Sequence, residues 1–227
     1  MPEGVVLLSG IVGSTAYGLA GPGSDVDRLG MFAAPTLDLL RLEPPKDSRV
    51  STHPDATYHE VGKAVRLFLV GNPTASELLW LPDDLYETRT ELGNEAIALR
   101  TSFLSAQRTK NAYLGYASQQ FRKLMLRDSG SAASTPEKIA KHARHLMRLV
   151  EQGYELYTMG HMRVRLDEPE LFRAFGERVA ADAQAAAPYM AEAEARFAEA
   201  LTVLPEEPDY KAAEDWLLRV RRAFWAA

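Results

Sequence analysis

Two aspartates separated by one residue, Asp25 and Asp27, follow a Gly-Ser turn at Gly13 and Ser14. In an extended strand alternate side chains share a face, so we expect both carboxylates to point the same way. Carboxylates this close repel each other, and divalent cations between them relieve the repulsion. A small-residue turn lets backbone N–H groups approach phosphates while the carboxylates hold Mg²⁺ against the same phosphates. The pattern therefore predicts metal-assisted phosphoryl transfer, whereas an Asp-x-Asp without the turn would suggest only a solvated loop.

The residues around this pair add a second level of pattern. The apolar run Val5–Val12 precedes Gly13-Ser14, and another apolar run follows Asp27. In this order the stretch resembles the signature of the DNA polymerase beta-like nucleotidyltransferase superfamily. The resemblance implies that Asp25 and Asp27 bind Mg²⁺ or Mn²⁺. It also implies that Gly13 and Ser14 contact the phosphates of a nucleoside triphosphate, which is the substrate.

A two-metal nucleotidyl transfer usually needs a third carboxylate. The next predicted strand offers Asp55 and Glu60, which lie on opposite faces if the strand is regular. A closer resemblance, to a bacterial and phage subgroup of predicted nucleotidyltransferases with members linked to RNA repair, is carried by Asp55, His59-Glu60-Val61-Gly62-Lys63 and Gly71-Asn72-Pro73. In that subgroup an Asp opens the strand, so the resemblance favours Asp55. A bulge would favour Glu60.

Several cations could bind phosphates. Lys63, one turn into the helix after the third strand, either neutralises a triphosphate or is an ordinary surface lysine. The helix that Thr135 opens carries Lys141, Arg144 and Arg148 on one predicted face. These three residues bind the triphosphate or the backbone of a nucleic-acid acceptor, or else form a solvated face. The surrounding residues 141–149 resemble the same subgroup.

Two further side chains have structural explanations. Thr74-Ala75-Ser76-Glu77 matches a capping box, which explains Glu77 without chemistry. Tyr17 either stacks on a base or ribose or is a buried aromatic.

Periodicity and turn residues predict an α+β protein. The first part has strands at Val5–Val12, Asp25–Ala33 and Asp55–Glu60, a loop over residues 36–54 with one short element, and a helix from Val61 that Gly71-Asn72-Pro73 ends. Helices follow at Glu95–Arg108, Asn111–Arg127, Thr135–Met159, Glu170–Gln184, Tyr189–Leu204 and Tyr210–Phe224, with a loop at Asp128–Ser134. We predict a small mixed-sheet nucleotidyltransferase domain over residues 1–93 and an all-helical domain over residues 94–227.

Composition limits the alternatives. The 227 residues include no cysteine, which excludes disulfides and thiolate metal sites, and the five histidines show no zinc-like spacing. A net charge of -5 argues against a broadly basic surface. The apolar runs are too short to span a membrane and the first residues lack a secretion signal, so we expect a cytoplasmic protein with no membrane partner.

Two function classes follow from these patterns. The first is a nucleotidyltransferase that moves a nucleoside monophosphate to an acceptor hydroxyl, which is an RNA end, a partner protein or a small molecule. The second is an inactive module that binds nucleotide or nucleic acid. The presence of both Asp25 and Asp27 favours the enzyme. A purely structural helical protein would leave the N-terminal pattern unexplained.

Overall fold

The computed structural model describes residues 4–128 and 135–225, which combine a five-stranded sheet with helices. The predicted α+β class is confirmed. Contacts group the chain into two compact units. The first comprises Met1–Ser105, Arg163–Arg165 and Glu207–Ala227, and the second comprises Ala106–Met162 and Leu166–Glu206. The division at residue 93 stays a prediction, because compactness alone does not show which segment folds by itself.

A mixed sheet forms the centre of the first unit. Its strands are β1 Val5–Val12, β2 Asp27–Ala33, β3 Ser48–Thr52, β4 Asp55–Glu60 and β5 Tyr86–Arg89. The spatial order is β3-β4-β2-β1-β5, in which β2 and β4 are parallel and the other neighbours are antiparallel. Leu7, Leu8, Met31 and Phe32 on the inner strands are fully buried. The predicted β1 and β4 are confirmed.

Both edge strands differ from the prediction. β3 lies in the segment predicted as a loop, and β5 was not predicted at all. Residues of β3 are half-buried or exposed, so they show no buried apolar face that a sequence pattern would reveal. β3 forms because its backbone pairs with β4, from Ser48 opposite His59 to Thr52 opposite Asp55. Edge strands of this kind depend on a partner strand and not on their own periodicity.

The helices of the described segments run from α1 to α10. Their bounds are α1 Gly13–Tyr17, α2 Thr36–Leu39, α3 Val61–Leu69, α4 Pro73–Ser76, α5 Glu91–Ala98, α6 Ala106–Asp128, α7 Pro136–Met159, α8 Pro169–Ala181, α9 Ala186–Glu199 and α10 Tyr210–Ala223. Short 3-10 turns occupy Glu77–Leu79, Asp83–Leu85, Arg100–Phe103 and Ala183–Ala185. Each described helix is either too short or too polar to span a lipid bilayer.

Two helix predictions in the first unit are wrong. The capping box from Thr74 to Glu77 does not form, because the helix begins earlier: Asn72 caps α4 by accepting from Ala75 N at 2.9 Å. The predicted helix Glu95–Arg108 is also interrupted. α5 ends at Ala98, and a 3-10 turn buries Phe103 before α6 begins.

The described part of the second unit contains helices and connecting loops but no strand. The predicted start of α7 is confirmed: Thr135 Oγ1 accepts from Lys138 N, and Pro136 occupies the first turn. α7 ends at Met159 and is capped by Gly160, which has the left-handed conformation. α7 packs against α6 and α8, and it buries Ala143, Leu146 and Leu149. Residues 129–134 of the predicted loop lie outside the described residues.

Candidate active site

Gly13 and Asp27 are in direct contact in the first unit. Asp27 is the first residue of β2 and lies opposite Val12, the last residue of β1. α1 begins at the next residue, Gly13, whose φ of 70° is in the left-handed region. A Cβ atom at Gly13 would lie only 2.2 Å from Asp27 Oδ2, so the carboxylate packs against the glycine Cα. The structure therefore brings two predicted site residues together, and only glycine permits their contact.

Ser14 is the next residue of the same turn. It is half-buried, and within the described segments its hydroxyl has no hydrogen-bond partner. Val12 provides no side-chain cap to α1. Because the first N–H groups of a helix have no acceptor inside it, this turn presents donors beside the Asp27 carboxylate.

Asp55 lies at the same end of the sheet as Asp27, where the parallel strands β2 and β4 both begin. The parallel register of β2 and β4 opens with Arg28 opposite Ala56, directly after each aspartate. Neighbouring strands lie about 4.8 Å apart, and residues at one level project to the same face. Asp55 is exposed and Asp27 is half-buried. The two carboxylates that open β2 and β4 are therefore neighbours at one end of the sheet.

Asp25 lies outside the strand. β2 begins at Asp27 and not at the predicted Asp25, so strand alternation does not apply to Asp25, and the shared direction of the two carboxylates stays a prediction. Asp25 is exposed in the turn that precedes β2. In residues 4–128 and 135–225, no group of three or more histidine or acidic side chains is arranged to hold a metal ion. The carboxylate oxygens are hard ligands of the type that Mg²⁺ prefers, but the three-carboxylate site stays a prediction.

Glu60, the alternative third carboxylate, lies at the other end of β4. It is level with Phe32, five residues from Asp55, which corresponds to about 16 Å along a strand. Its side chain is 4% exposed and caps α3 by accepting from Gly62 N at 2.8 Å. Arg221 of α10 donates both terminal nitrogens to it, and Nη2 lies 2.9 Å from Oε2. The contacts of Glu60 are structural.

Lys63 lies at the same distant end. Its Nζ is 3.0 Å from Asp47 Oδ1, and Asp47 directly precedes β3. Nearby His59 is half-buried, and its pKa is lowered first by burial and then by the Lys63 charge, against the opposing effect of Asp47. The structure does not bring Lys63 to Gly13 and Asp27, so its predicted contact with a triphosphate receives no support from this placement.

Tyr17 and Glu77 form a contact that sequence reasoning missed. The Tyr17 hydroxyl lies 2.8 Å and 2.7 Å from the two carboxylate oxygens of Glu77. Glu77 is 1% exposed and opens the 3-10 turn after α4. The hydrogen bond attaches the last residue of α1 to the protein core. No spacing could reveal it, since the two residues are 60 positions apart.

The predicted basic residues of α7 differ in their exposure. Lys141 is exposed and Arg144 is half-buried, and the pKa of Arg144 is lowered by burial and by Arg173 of α8. Arg148 is only 2% exposed, so the alternative of a solvated face does not hold for it, and its binding of phosphate stays a prediction. Its guanidinium donates to Gln152 Oε1 at 2.6 Å and to His145 Nδ1 at 3.0 Å.

A comparison with protein families identifies the chain. The family model described as the RNA repair pathway DNA polymerase beta family (RlaP) matches residues 3–174, which include Gly13, Asp27 and Asp55. No match was found among curated proteins. The resemblance to DNA polymerase beta-like proteins linked to RNA repair is therefore confirmed. Because the match extends over more than half of its 227 residues, the chain belongs to the RNA repair pathway DNA polymerase beta family.

Proposed function

We propose that the protein is a Mg²⁺-dependent nucleotidyltransferase that moves a nucleoside monophosphate from a triphosphate to an acceptor hydroxyl. The observation that supports this most is the contact between Gly13 and Asp27, where a Cβ would meet the carboxylate at 2.2 Å. The contact sets the backbone that would bind phosphate beside a carboxylate. Asp55, the first residue of the neighbouring strand β4, adds a second carboxylate at this end of the sheet.

Each predicted site residue in this region has a proposed role. Asp25, Asp27 and Asp55 would hold Mg²⁺ or Mn²⁺. When bound, the ion would neutralise phosphate charge and would help to orient the reacting oxygens. The Gly13 and Ser14 amides and the Ser14 hydroxyl would donate to phosphate oxygens, so the triphosphate is held in one orientation. Catalysis of this kind depends mainly on positioning and charge stabilisation.

The proposed reaction is an in-line substitution at the α-phosphorus. The acceptor oxygen forms a bond to that phosphorus, the bond from the α-phosphorus to the α–β bridging oxygen breaks, and pyrophosphate leaves. We assign the proton of the acceptor hydroxyl to Asp55, because it is exposed and its carboxylate can pass the proton to water. The family description supports an RNA end as the acceptor, while a protein hydroxyl or a small molecule would be identified by the same assay.

The test measures pyrophosphate release and label transfer with each labelled nucleoside triphosphate, Mg²⁺ and a panel of RNA ends. We expect transfer by the wild type, and at least a hundredfold loss in Asp27→Asn and in Asp25→Asn with unchanged thermal unfolding, on the order of the loss for a misplaced catalytic group. Asp215→Asn is the matched control, since Asp215 is an exposed aspartate of α10 whose only ion-pair partner among the described residues is Lys211. Nucleotide binding without transfer by the wild type would instead identify a binding module.

A further inference from the structure

Positive charge is concentrated in one part of this acidic chain. Residues 106–150 contain nine lysines and arginines but only two acidic residues, whereas the whole chain has a net charge of -5. This part comprises α6 and the first half of α7, both in the second unit. A net-acidic protein that gathers its cations on one helix pair has a local surface suited to a polyanion.

The cations of the two helices lie beside one another. Gln120 of α6 and His142 of α7 are joined by a hydrogen bond of 2.8 Å, Oε1 to Nδ1. This contact aligns Lys123, one turn after Gln120, with Lys141, the neighbour of His142. Burial lowers the pKa of His145 to about 3, and the charges of Arg148, His142 and then these two lysines act in the same direction. The charged groups that act on His145 from α6 and α7 are thus all cations or potential cations.

Three of these lysines are available to an external anion. Lys123, Lys138 and Lys141 are exposed, and no carboxylate among the described residues forms an ion pair with them. In contrast, Lys63 pairs with Asp47, Lys211 pairs with Asp215 and Lys110 donates to a backbone carbonyl. Lys138 and Lys141 lie one helical turn apart. We call Lys123, Lys138 and Lys141 the α6–α7 basic strip.

We propose that the α6–α7 basic strip binds the phosphodiester backbone of a single-stranded RNA. A row of exposed ammonium groups on two helices matches a succession of phosphates better than a compact triphosphate, which needs a converging pocket. The contacts would be electrostatic and independent of base sequence. The inference deepens the proposed function, because the bound strand would be the acceptor, but RNA binding can be measured without any transfer.

The test is fluorescence anisotropy of a labelled 20-nucleotide single-stranded RNA with the full chain over a series of salt concentrations. We expect Lys123→Glu/Lys141→Glu to weaken binding about tenfold or more at low salt. The slope of log affinity against log salt should fall by about 1.4, at about 0.7 for each lost contact. The matched control, Lys46→Glu/Lys211→Glu, changes the net charge equally at two exposed lysines of the other unit. It should bind almost as the wild type does.

Calorimetry with ATP and Mg²⁺ separates the outcomes. Loss of RNA affinity with unchanged ATP affinity supports the inference. Equal weakening by both double variants would show an effect of net charge only and would overturn it. Loss of ATP affinity with retained RNA binding would assign the strip to the triphosphate and would also overturn it. RNA binding that depends on the strip in a protein that releases no pyrophosphate would uphold this inference while refuting the proposed activity.

Discussion

The carboxylate of Asp27 occupies the space that a side chain at residue 13 would need. The two residues are joined through the antiparallel pairing of β1 and β2, and Gly13 adds a φ of 70° that disfavours a Cβ in any case. Residue 13 must therefore be glycine for two reasons: the contact with Asp27 leaves no room for a Cβ atom, and the backbone conformation is left-handed. This is the relationship on which the candidate site depends.

Gly13→Ala should reduce nucleotidyl transfer by about a hundredfold, because the new methyl group would push Asp27 out of place and displacements near 1 Å can cost that much. Gly18→Ala is the matched control. Gly18 also has a left-handed φ, 77°, but a Cβ there would meet no heavy atom within 4 Å. The left-handed conformation costs both variants about 1–2 kcal/mol, and Gly13→Ala is destabilised further by the displacement of Asp27, so transfer is compared at a temperature at which both variants are folded. Equal activity of the two variants would remove the functional role of the contact.

Tyr17→Phe should destabilise the protein by about 1–3 kcal/mol, because a buried carboxylate loses a hydrogen-bond donor. Urea unfolding measures the change. Tyr58→Phe is the control, since the hydroxyl of this half-buried tyrosine has no hydrogen bond to a described residue. If α1 depends on this attachment, Tyr17→Phe should also raise the KM for the triphosphate. An unchanged unfolding midpoint would show that the Tyr17 hydroxyl contributes nothing to stability.

Arg221→Ala should cost about 3–5 kcal/mol of unfolding free energy, because it leaves the buried Glu60 carboxylate without its cation. Arg219→Ala provides a control on the same helix. Arg219 also pairs with a glutamate, Glu95, but its side chain is 51% exposed, so its loss should cost at most about 1 kcal/mol. Similar costs for the two variants would contradict the assignment of Glu60 to a structural role.

Strong local patterns allowed much of this fold to be predicted from the sequence. β1 and β4 have the predicted bounds, and Thr135-Pro136 marks the start of α7. Gly13 and Asp27 could be paired in advance because a turn and a strand of known type join them. Contacts between distant residues could not be predicted: Tyr17 meets Glu77, and Arg221 meets Glu60 across 161 positions. Arg148 shows a further limit, because periodicity identifies a polar face but not the helices that cover it.

We expect His145 to lower the free energy of unfolding at acidic pH. Burial, and then Arg148, His142, Lys123 and Lys141, lower its pKa to about 3, against about 6.5 in the unfolded chain. Between these two pKa values, therefore, the His145 side chain is protonated in the unfolded state but neutral in the native state. The stabilising contribution is fully present above pH 6.5 and is lost as the pH falls toward 3, at no more than about 1.4 kcal/mol per pH unit.

Urea unfolding at pH 7.5 and pH 5 measures this loss. In His145→Gln the difference between the two pH values should shrink, since glutamine keeps an acceptor for Arg148 but does not titrate. His53→Gln, at an exposed histidine of the first unit, should retain the wild-type difference. A His145→Gln protein with the full wild-type pH dependence would show that other groups cause it.

The same measurement tests Lys123→Glu/Lys141→Glu, because the charges of Lys123 and Lys141 act on His145. Replacing these two positive charges should raise the pKa of His145 and so reduce the loss of stability in acid.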